Sequence, residues 1–338
     1  MYFVDEIEKQ DEFFANQIYL SYSGLTRLLQ TPILYYNHYI LNERDDKKSA
    51  AAIEGELLHC LLLNPEEFDN KFVLALDKLP SDNPKKVIDT VFEHYSILKE
   101  EGTDEREDLI EFGGAILDVL EDINLYQSLK TDAQRIEKIT GVQQNLDYWE
   151  HLKTSKDKIL VTQETYDYAV KASEKIKSNI TISTLMGLNK SILEDIEVYN
   201  EITIEADTNY SYKVRGIIDN LVIDHDNKVI RINDLKKTAK HISDFRESID
   251  FWQYWLQAAL YVYMIRNSKY FIPGYSIEFR FVVCDLFLQI GTYKISNETL
   301  ISYLEKLEDS FYTAEMHFEN RYFELPYEFM IGRGEVTI

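Results

Sequence analysis

Cysteine, proline and glycine are all scarce in this chain of 338 residues, which has two cysteines, six prolines and twelve glycines. Two thiols cannot supply a four-cysteine zinc or iron–sulfur site, and a disulfide framework is not expected in a reducing compartment. Cys60 and Cys284 stand in the apolar runs LLHCLLL and FVVCDL, so we predict that both are buried small hydrophobes. The low glycine and proline content argues against a low-complexity or linker-dominated architecture.

The sequence also has no evident membrane or export signal. The N-terminal MYFVDEIEKQDEFF has no basic region, apolar core or small-residue cleavage site, so it does not read as a signal peptide. No stretch approaches ~20 uninterrupted apolar residues, the length that a membrane-spanning helix needs. We therefore expect a soluble, cytoplasmic protein with no membrane partner.

Basic residues are outnumbered, with 36 Lys and Arg against 59 Asp and Glu and a net charge of −23. Binding of nucleic acid depends on neutralising phosphates, so this balance is unfavourable for a broad nucleic-acid surface. Any such contact is expected to be confined to a narrow patch or completed by other subunits. The 45% hydrophobic and 13% aromatic content is enough to bury a large core, in one elaborated domain or two small ones.

Hydrophobic periodicity predicts helices in the first half of the chain. Residues 21–43 are expected to be helical, with Ser23 as N-cap and a break near Pro32. A strongly apolar helix is expected at 50–63, ending at Asn64–Pro65, and a further one at 162–179 with Thr162 as cap. Between them, 79–160 reads as a helical insertion; its acidic run KEEGTDEREDLIE is interpreted as a solvated face, with a partner-binding tail as the less favoured alternative.

Alternating and β-branched residues predict strands in the second half. The predicted strands are 197–205, 211–223, 229–235, 275–284 and 287–295, and the predicted helices are 250–266 and 296–312. This order indicates a mixed α/β fold, with a mixed sheet flanked by helices.

The polar turn at Asp226–Asn227 predicts a β-hairpin that carries candidate catalytic residues. If the two strands pair symmetrically about it, Asp219 lies opposite Asp234 with both side chains on one face. Lys236 returns to that face by strand alternation, and a slip of one residue would break the pairing. The plain alternative is a surface hairpin with an ordinary Asp–Lys pair.

Two carboxylates at one point repel each other unless a hard cation joins them, and Mg²⁺ prefers carboxylate oxygens. Such an ion can polarise a phosphodiester and acidify a water. A neighbouring lysine can orient or deprotonate that water and offset charge on the phosphorane. The hairpin therefore predicts metal-dependent phosphodiester chemistry.

These motifs resemble those of the PD-(D/E)XK nuclease superfamily, within it the RecB/RecE-like branch of phage and prophage exonuclease VIII relatives. The segment RGIID ending at Asp219 and the following INDLKKT are similar to the family's metal-binding Asp and D-x-K. The helix segment GELLH at residues 55–59 is similar to its G-x-x-x-H motif, and Gln257 and Tyr261 match its Q-x-x-x-Y motif. The extra lysine in DLKKT and the missing proline near Asp219 depart from the superfamily's pattern.

The resemblance implies a restriction-endonuclease-like core in a single domain, 1–338, that contains the 79–160 insertion. It also implies that Asp219 and Asp234 bind Mg²⁺, for which Mn²⁺ can substitute, and that Lys236 is the catalytic lysine. His59 would approach the metal, although alone it reads as a core histidine. Gln257 and Tyr261 would contact the site or the DNA backbone, or else pack on the sheet.

Residues near these motifs are further candidates for the site. Glu201, preferred over Glu197, is expected to add a carboxylate to the metal site, and Gly55 to pack closely one turn before His59. A basic cluster just after the catalytic strand could grip phosphates or be a solvated face: Lys237, Lys240, His241 and Arg246. Of the rings in FWQYW (251–255), at least two are expected in the core and others could stack on bases.

The function expected from the resemblance is a 5′→3′ exonuclease on linear double-stranded DNA, working in recombination with a single-strand annealing protein, in the cytoplasm of a bacterial host of phage or prophage origin. Relatives form closed rings, so a homo-oligomer is expected. Alternatives are an endonuclease or single-strand nuclease of the same fold, or a catalytically idle acidic binding protein, which the charge favours. A helicase-linked nuclease is disfavoured because no G-x-x-x-x-G-K-[ST] loop is present.

Overall fold

The computed structural model describes residues 4–43, 48–100, 106–189 and 195–336. Residues 101–105 of the predicted acidic run lie outside these ranges. Among the described residues, no helix combines the length and the apolar character that crossing a bilayer requires. Cys60 and Cys284 are buried, as predicted, and neither is in a disulfide.

Helices dominate the chain on both sides of a block of three long strands. Strands β1 to β8 are Tyr19–Leu20, Phe72–Leu74, Ile159–Val161, Ile196–Asp207, Lys213–Asp224, Val229–Thr238, Ser276–Asp285 and Ile290–Lys294. Helices α1 to α15 are Val4–Ala15, Tyr22–Gln30, Pro32–Tyr35, Ala50–Leu63, Phe68–Lys71, Asp82–Glu100, Gly113–Asp122, Asp132–Thr140, Gln143–Ser155, Gln163–Ser178, Ile180–Leu185, Phe245–Phe251, Tyr254–Arg266, Asn297–Asn320 and Tyr327–Ile331. A π-helical turn spans Tyr36–Ile40, and 3-10 turns span Pro65–Glu67, Leu109–Phe112 and Ile242–Asp244.

The chain divides into two compact units, one formed by Met1–Pro65 with Tyr168–Ile338 and the other by Glu66–Asp167. The first unit contains a six-stranded sheet. The second is mainly helical, with β2 and β3 paired in parallel and a core around Trp149 and Phe112.

The six-stranded sheet mixes parallel and antiparallel neighbours, which confirms the predicted fold class. Its path is β1-β5-β6-β7-β8, and β4 pairs with β5 from Ile196↔Asp224 to Asp207↔Lys213, except at Glu201. The pairs β4–β5, β5–β6 and β7–β8 are antiparallel, whereas β1–β5 and β6–β7 are parallel. Because β4 lies along one edge of β5, β1 and β6 share the other edge. β1 pairs near the start of β5, and β6 pairs near its end.

The hairpin between β5 and β6 has the register that the sequence predicted. Its pairs run from Asp224↔Val229 beside the turn to Asn220↔Asn233. Continued by one step, this register brings Asp219 opposite Asp234. The two residues therefore lie one step past the last paired rung.

Beyond that rung the two strands separate, and we call this point the fork. β6 continues along β7 as far as Thr238↔Asp285, while β5 next pairs on that edge with β1, at Lys213 and Val214. Across the fork, the backbone N–H of Leu235 donates to Oδ2 of Asp219 at 2.7 Å. The fork leaves an opening in the sheet whose first side chains are acidic.

Helix α13 is buried on all sides, as expected for a helix that is apolar around its circumference. It shares one core with Phe279 and Phe281 of β7 and with Leu307 and Phe311 of α14. Each such side chain contributes roughly 1.5–3 kcal/mol when it leaves water. This packing presents one face of α13 to the fork.

Several local predictions were confirmed and others were wrong. Helix α4 has the predicted bounds, and Thr162 Oγ1 accepts from the N–H of Thr165 at 3.2 Å. The N-cap of α2 is Ser21, whose hydroxyl accepts from Gly24, and not Ser23. Close packing at Gly55 was wrong, because a Cβ there would have no neighbour within 4 Å.

The predicted helix 250–266 is two helices, α12 and α13, and the one at 296–312 continues to Asn320. The interruption lies at Gln253, whose φ of +55° is left-handed, a conformation that α-helical periodicity cannot reveal.

Candidate active site

Three acidic residues from neighbouring strands lie at the fork. Asp219 lies between Glu201 of β4 and Asp234 of β6 by register, because Asn200↔Asn220 and Ile202↔Ile218 flank the position of Glu201. Glu201 has a φ of +49° and is skipped by the ladder. A left-handed non-glycine residue costs on the order of 1–3 kcal/mol, and such strain concentrates at functional sites.

Helix α4 brings His59 to these acids from far away in the sequence. The helix begins at an N-cap in which Ser49 accepts from the N–H of Ala52. Nε2 of His59 lies 3.0 Å from the carbonyl oxygen of Leu235, so this nitrogen carries a proton and donates. Nδ1 faces Oε1 of Glu201 at 3.2 Å and Oδ1 of Asp219 at 3.7 Å.

The imidazole of His59 therefore donates a hydrogen bond through Nε2, and its Nδ1 faces two carboxylate acceptors. Because both facing oxygens belong to carboxylates, a lone pair on Nδ1 would be repelled unless a proton or a metal ion lay between them. Burial by itself lowers the pKa of His59, but Asp219 and Glu201 outweigh it and raise the pKa to about 9. Burial raises the pKa of Asp219 to about 7. The arrangement of His59, Glu201 and Asp219 therefore favours a positive charge between them.

The residues present fit a divalent cation. One ligand atom from each of His59, Glu201 and Asp219 lies within 4.8 Å of the others. Asp234 is not part of this group; its Oδ1 is buried and has no hydrogen-bond partner among the described residues. Carboxylates with one imidazole suit Mg²⁺ or Mn²⁺. A histidine ligand that donates its other N–H to a backbone carbonyl is the common arrangement at metal sites.

Lys236 stands beside this group on the same strand. Its Nζ lies 2.6 Å from Oδ2 of Asp234, and the side chain is 17% exposed. Burial lowers the pKa of Lys236, but Asp234 and Asp219 outweigh burial and raise it above the ordinary value. The amine is therefore a fixed positive charge at the rim of the acidic group.

Two tyrosines that the sequence analysis missed flank Lys236. Its Nζ lies 5.0 Å from the ring centroid of Tyr254, a cation–π distance. Tyr22 donates its hydroxyl hydrogen to the carbonyl of Trp252, two residues before Tyr254. Burial raises the pKa of Tyr22, and the positive charge of Lys236 opposes this rise. Tyr22 lies in α2 and Tyr254 in α13, both far in sequence from Lys236 in β6. Their place beside the site therefore cannot be found from a local sequence motif.

Gln257 and Tyr261 share one face of α13, as their spacing predicted. Nε2 of Gln257 donates to the hydroxyl of Tyr261 at 3.0 Å, and both residues are buried. Burial raises the pKa of Tyr261, and the charges of Asp234 and Asp219 add to this effect. The pair lies in the core at the base of the acidic group.

The residues of the predicted basic cluster differ in their surroundings. Lys237 is 10% exposed and forms an ion pair with Glu54, while its Nζ lies 5.1 Å from the ring centroid of Tyr168. Lys240, His241 and Arg246 are exposed, and Lys240 pairs with Glu247 at 3.2 Å. A phosphate could reach these three without displacing a buried partner.

The remaining candidates are Glu197 and the rings of the segment FWQYW. Glu197 contacts Nε2 of His225 at 2.9 Å, so it has a partner of its own. In FWQYW, Tyr254 and Trp255 pack against the core, while Phe251 and Trp252 are exposed and touch edge to face.

Comparisons with known proteins bear on what this arrangement does. No curated protein matches the chain. A crystal structure of a protein from Eubacterium rectale, provisionally named an exonuclease, is 13% identical with a TM-score of 0.45, covering 100% of this chain and 92% of that chain. The crystal structure of SSO0001 is 13% identical with a TM-score of 0.22, covering 49% of this chain and 75% of that chain. Neither likeness by itself establishes an activity.

The family comparison is decisive. The model of the PD-(D/E)XK nuclease superfamily matches residues 19–286, more than half of the chain, and this range contains His59, Glu201, Asp219, Asp234 and Lys236. The chain belongs to the PD-(D/E)XK nuclease superfamily, and this membership implies a phosphodiester hydrolase.

Proposed function

We propose that the protein is a Mg²⁺-dependent deoxyribonuclease whose reaction takes place at the fork, with Mn²⁺ able to replace Mg²⁺. The observation that carries this proposal is the arrangement around His59. Its Nδ1 and the carboxylates of Glu201 and Asp219 converge on one point while its Nε2 is committed to Leu235. Such convergence has little use in a surface hairpin.

The residues proposed to hold the cation are His59, Glu201, Asp219 and Asp234. When bound, the ion supplies Lewis-acid stabilisation to the phosphate group that is cleaved. Two of the acidic side chains have partners within the chain, because Leu235 N–H donates to Asp219 and Lys236 pairs with Asp234.

Lys236 is the proposed catalytic lysine. Its raised pKa keeps the amine protonated at neutral pH, so its part is to orient the attacking water and to offset negative charge on the phosphoryl oxygens. Asp234 and the ring of Tyr254 hold the amine in place.

The other candidates receive supporting roles. Gln257 and Tyr261 are proposed to support the acids from α13 and to contact the substrate backbone where the fork opens. Among the basic residues, Lys240 and Arg246 are the stronger candidates for phosphate contact because they are exposed. Lys237 would first have to leave Glu54.

Finer features of the proposal follow the resemblance in the motifs. These are 5′→3′ degradation of linear duplex DNA, a recombination role with a single-strand annealing protein, a ring-shaped homo-oligomer, and a cytoplasmic site of action in a bacterial host of phage or prophage origin. We also propose that one nuclease domain spans 1–338 and that the 79–160 segment is an insertion in it. The family match across residues 19–286 supports this continuity.

The test is degradation of linear and of covalently closed circular duplex DNA, with and without Mg²⁺, by wild type, Asp234→Ala and Lys236→Ala. Lys130→Ala, an exposed lysine in the second unit, is the control. We expect metal-dependent loss of linear DNA only, abolished by the first two variants. Loss of both substrates would indicate an endonuclease, and undiminished activity of the variants would refute the site. No cleavage with any divalent ion would favour a binding protein.

A further inference from the structure

Three asparagines from three strands form one hydrogen-bonded row. Asn200, Asn220 and Asn233 are direct partners in the β4–β5 and β5–β6 ladders. Nδ2 of Asn220 donates to Oδ1 of Asn200 at 2.8 Å, and Nδ2 of Asn233 donates to Oδ1 of Asn220 at 2.7 Å. Asn220 and Asn233 are fully buried, so these amides depend on one another for hydrogen bonds.

The row occupies the last rung before the acids on both ladders. Asn220↔Asn233 ends the pairing of β5 with β6, and Asn200↔Asn220 immediately precedes the skipped position of Glu201. Since successive side chains of a strand alternate between faces, Asn220 and Asn233 point away from the face of Asp219 and Asp234. The row therefore joins the strands at the place where the fork begins.

Apolar patterning gives little register information near this point. Leu221, Val222 and Ile223 are all buried, so both faces of β5 are apolar and a slip of one residue would still bury hydrophobic side chains. A slip would separate the three amides and leave buried donors and acceptors without partners, which is costly. The asparagine row thus distinguishes the native register from its neighbours.

The row also reaches the helix that carries His59. Nδ2 of Asn200 donates to the carbonyl of Leu63, the last residue of α4, at 3.0 Å. Asn220 and Asn233 donate to the carbonyls of Met186 and Leu185 at the end of α11, at 3.1 Å and 3.2 Å. Carbonyls at helix C-termini lack intrahelical donors, so the asparagines satisfy them and fasten both helices to the sheet.

We propose that Asn200, Asn220 and Asn233 are positioning residues that hold the fork, aligning Glu201, Asp219 and Asp234 with one another and with His59. They touch neither substrate nor metal. The catalytic consequence rests on the proposed nuclease function, whereas the alignment of the strands does not.

The test compares Asn220→Leu with Asn145→Leu. Asn145 is a matched control, because it is also buried and donates to a backbone carbonyl, that of Ile139 at 2.8 Å, but it belongs to the second unit. Three quantities are measured: Mn²⁺ affinity by titration calorimetry, kcat and KM on linear DNA, and backbone hydrogen exchange in β5 and β6.

We expect Asn220→Leu to weaken Mn²⁺ binding and to lower kcat by about tenfold or more, as removal of groups that orient metal ligands commonly does. KM for DNA should stay near the wild-type value. Exchange should accelerate at residues 219–222 and 232–235 in this variant only. Asn145→Leu should leave Mn²⁺ affinity and kcat unchanged.

Wild-type Mn²⁺ affinity and unchanged exchange in a folded Asn220→Leu protein would overturn the proposal. If wild type neither binds Mn²⁺ nor cleaves DNA, the nuclease proposal fails, and hydrogen exchange alone then decides whether the row holds the fork. Should Asn220→Leu not fold, Asn200→Leu, at the half-buried end of the row, is judged by the same readouts and the same outcomes.

Discussion

Nζ of Lys236 lies 2.6 Å from Oδ2 of Asp234, two residues earlier in the same strand. The side chain of Asp234 is almost wholly buried, and that of Lys236 is 17% exposed. The buried carboxylate therefore fixes the position of the lysine's positive charge. The ring of Tyr254 completes its surroundings from α13. Substitutions around this pair should therefore affect turnover more than substrate affinity.

We predict that Tyr254→Leu lowers kcat about fivefold, the effect of losing a cation–π contact of about 1 kcal/mol. Tyr254→Phe keeps the ring and should stay close to wild type. Single-turnover cleavage and separately measured DNA affinity check this. An equal loss in both variants would show that the hydroxyl matters, and not the ring.

His59→Ala is predicted to weaken Mn²⁺ binding by at least about tenfold, because the imidazole is one of few donors at the site. His225→Ala is the matched control, since His225 also contacts a carboxylate, that of Glu197 at 2.9 Å. Titration calorimetry with Mn²⁺ measures both proteins. Equal affinity in wild type and His59→Ala would remove His59 from the proposed metal site.

The hairpin turn supplies a prediction about pH. Oδ1 of Asp224 accepts from the N–H of Asn227 at 2.9 Å, and Oδ2 accepts from Nη2 of Arg231 at 2.6 Å. Burial alone would raise the pKa of Asp224, but these bonds outweigh it and hold the pKa below its ordinary value. The carboxylate therefore contributes stability that is present above the unfolded pKa and is lost as pH falls through the folded one.

Asp224→Asn should accordingly lower the free energy of unfolding by about 2 kcal/mol near neutral pH, and the difference from wild type should shrink below about pH 4. Urea denaturation at both pH values measures this. Asp207→Asn, which alters an exposed pair with Lys213, should have little effect at either pH. A difference that does not vary with pH would exclude the charge as its cause.

The basic residues after β6 predict a modest dependence of DNA binding on salt. Lys240→Ala and Arg246→Ala should each reduce the slope of log affinity against log salt concentration by about 1, the change expected for one lost phosphate contact. Lys237→Ala should leave the slope unchanged, because this amine is mostly buried and pairs with the partly buried Glu54, whereas the ion pair of Lys240 is exposed. Binding is measured in Ca²⁺ to prevent cleavage, with Lys130→Ala as control. Unchanged slopes in all variants would place the phosphate contacts elsewhere.

Local sequence patterns predicted the fold class and the centre of the candidate site. The bounds of α4 followed from an apolar run ended by Asn64 and Pro65, and the register of β5 and β6 followed from the position of their turn. Both depend on contacts between residues close in sequence, where helical and strand periodicity apply directly. The interruption of α12 and α13 at Gln253 escaped prediction because packing, and not periodicity, selects its left-handed backbone.

The sequence by itself predicted the register that places Asp219 opposite Asp234, because the position of the turn sets the pairing of the two strands. Only the tertiary structure decided that Glu201 adopts a left-handed conformation beside Asp219, that the ring of Tyr254 lies 5.0 Å from Nζ of Lys236, and that Lys237 pairs with Glu54. These contacts are between residues that are distant along the chain, and more than one residue could form each of them. Their outcome depends on how helices pack against the sheet, a sum of many small contacts that no motif records.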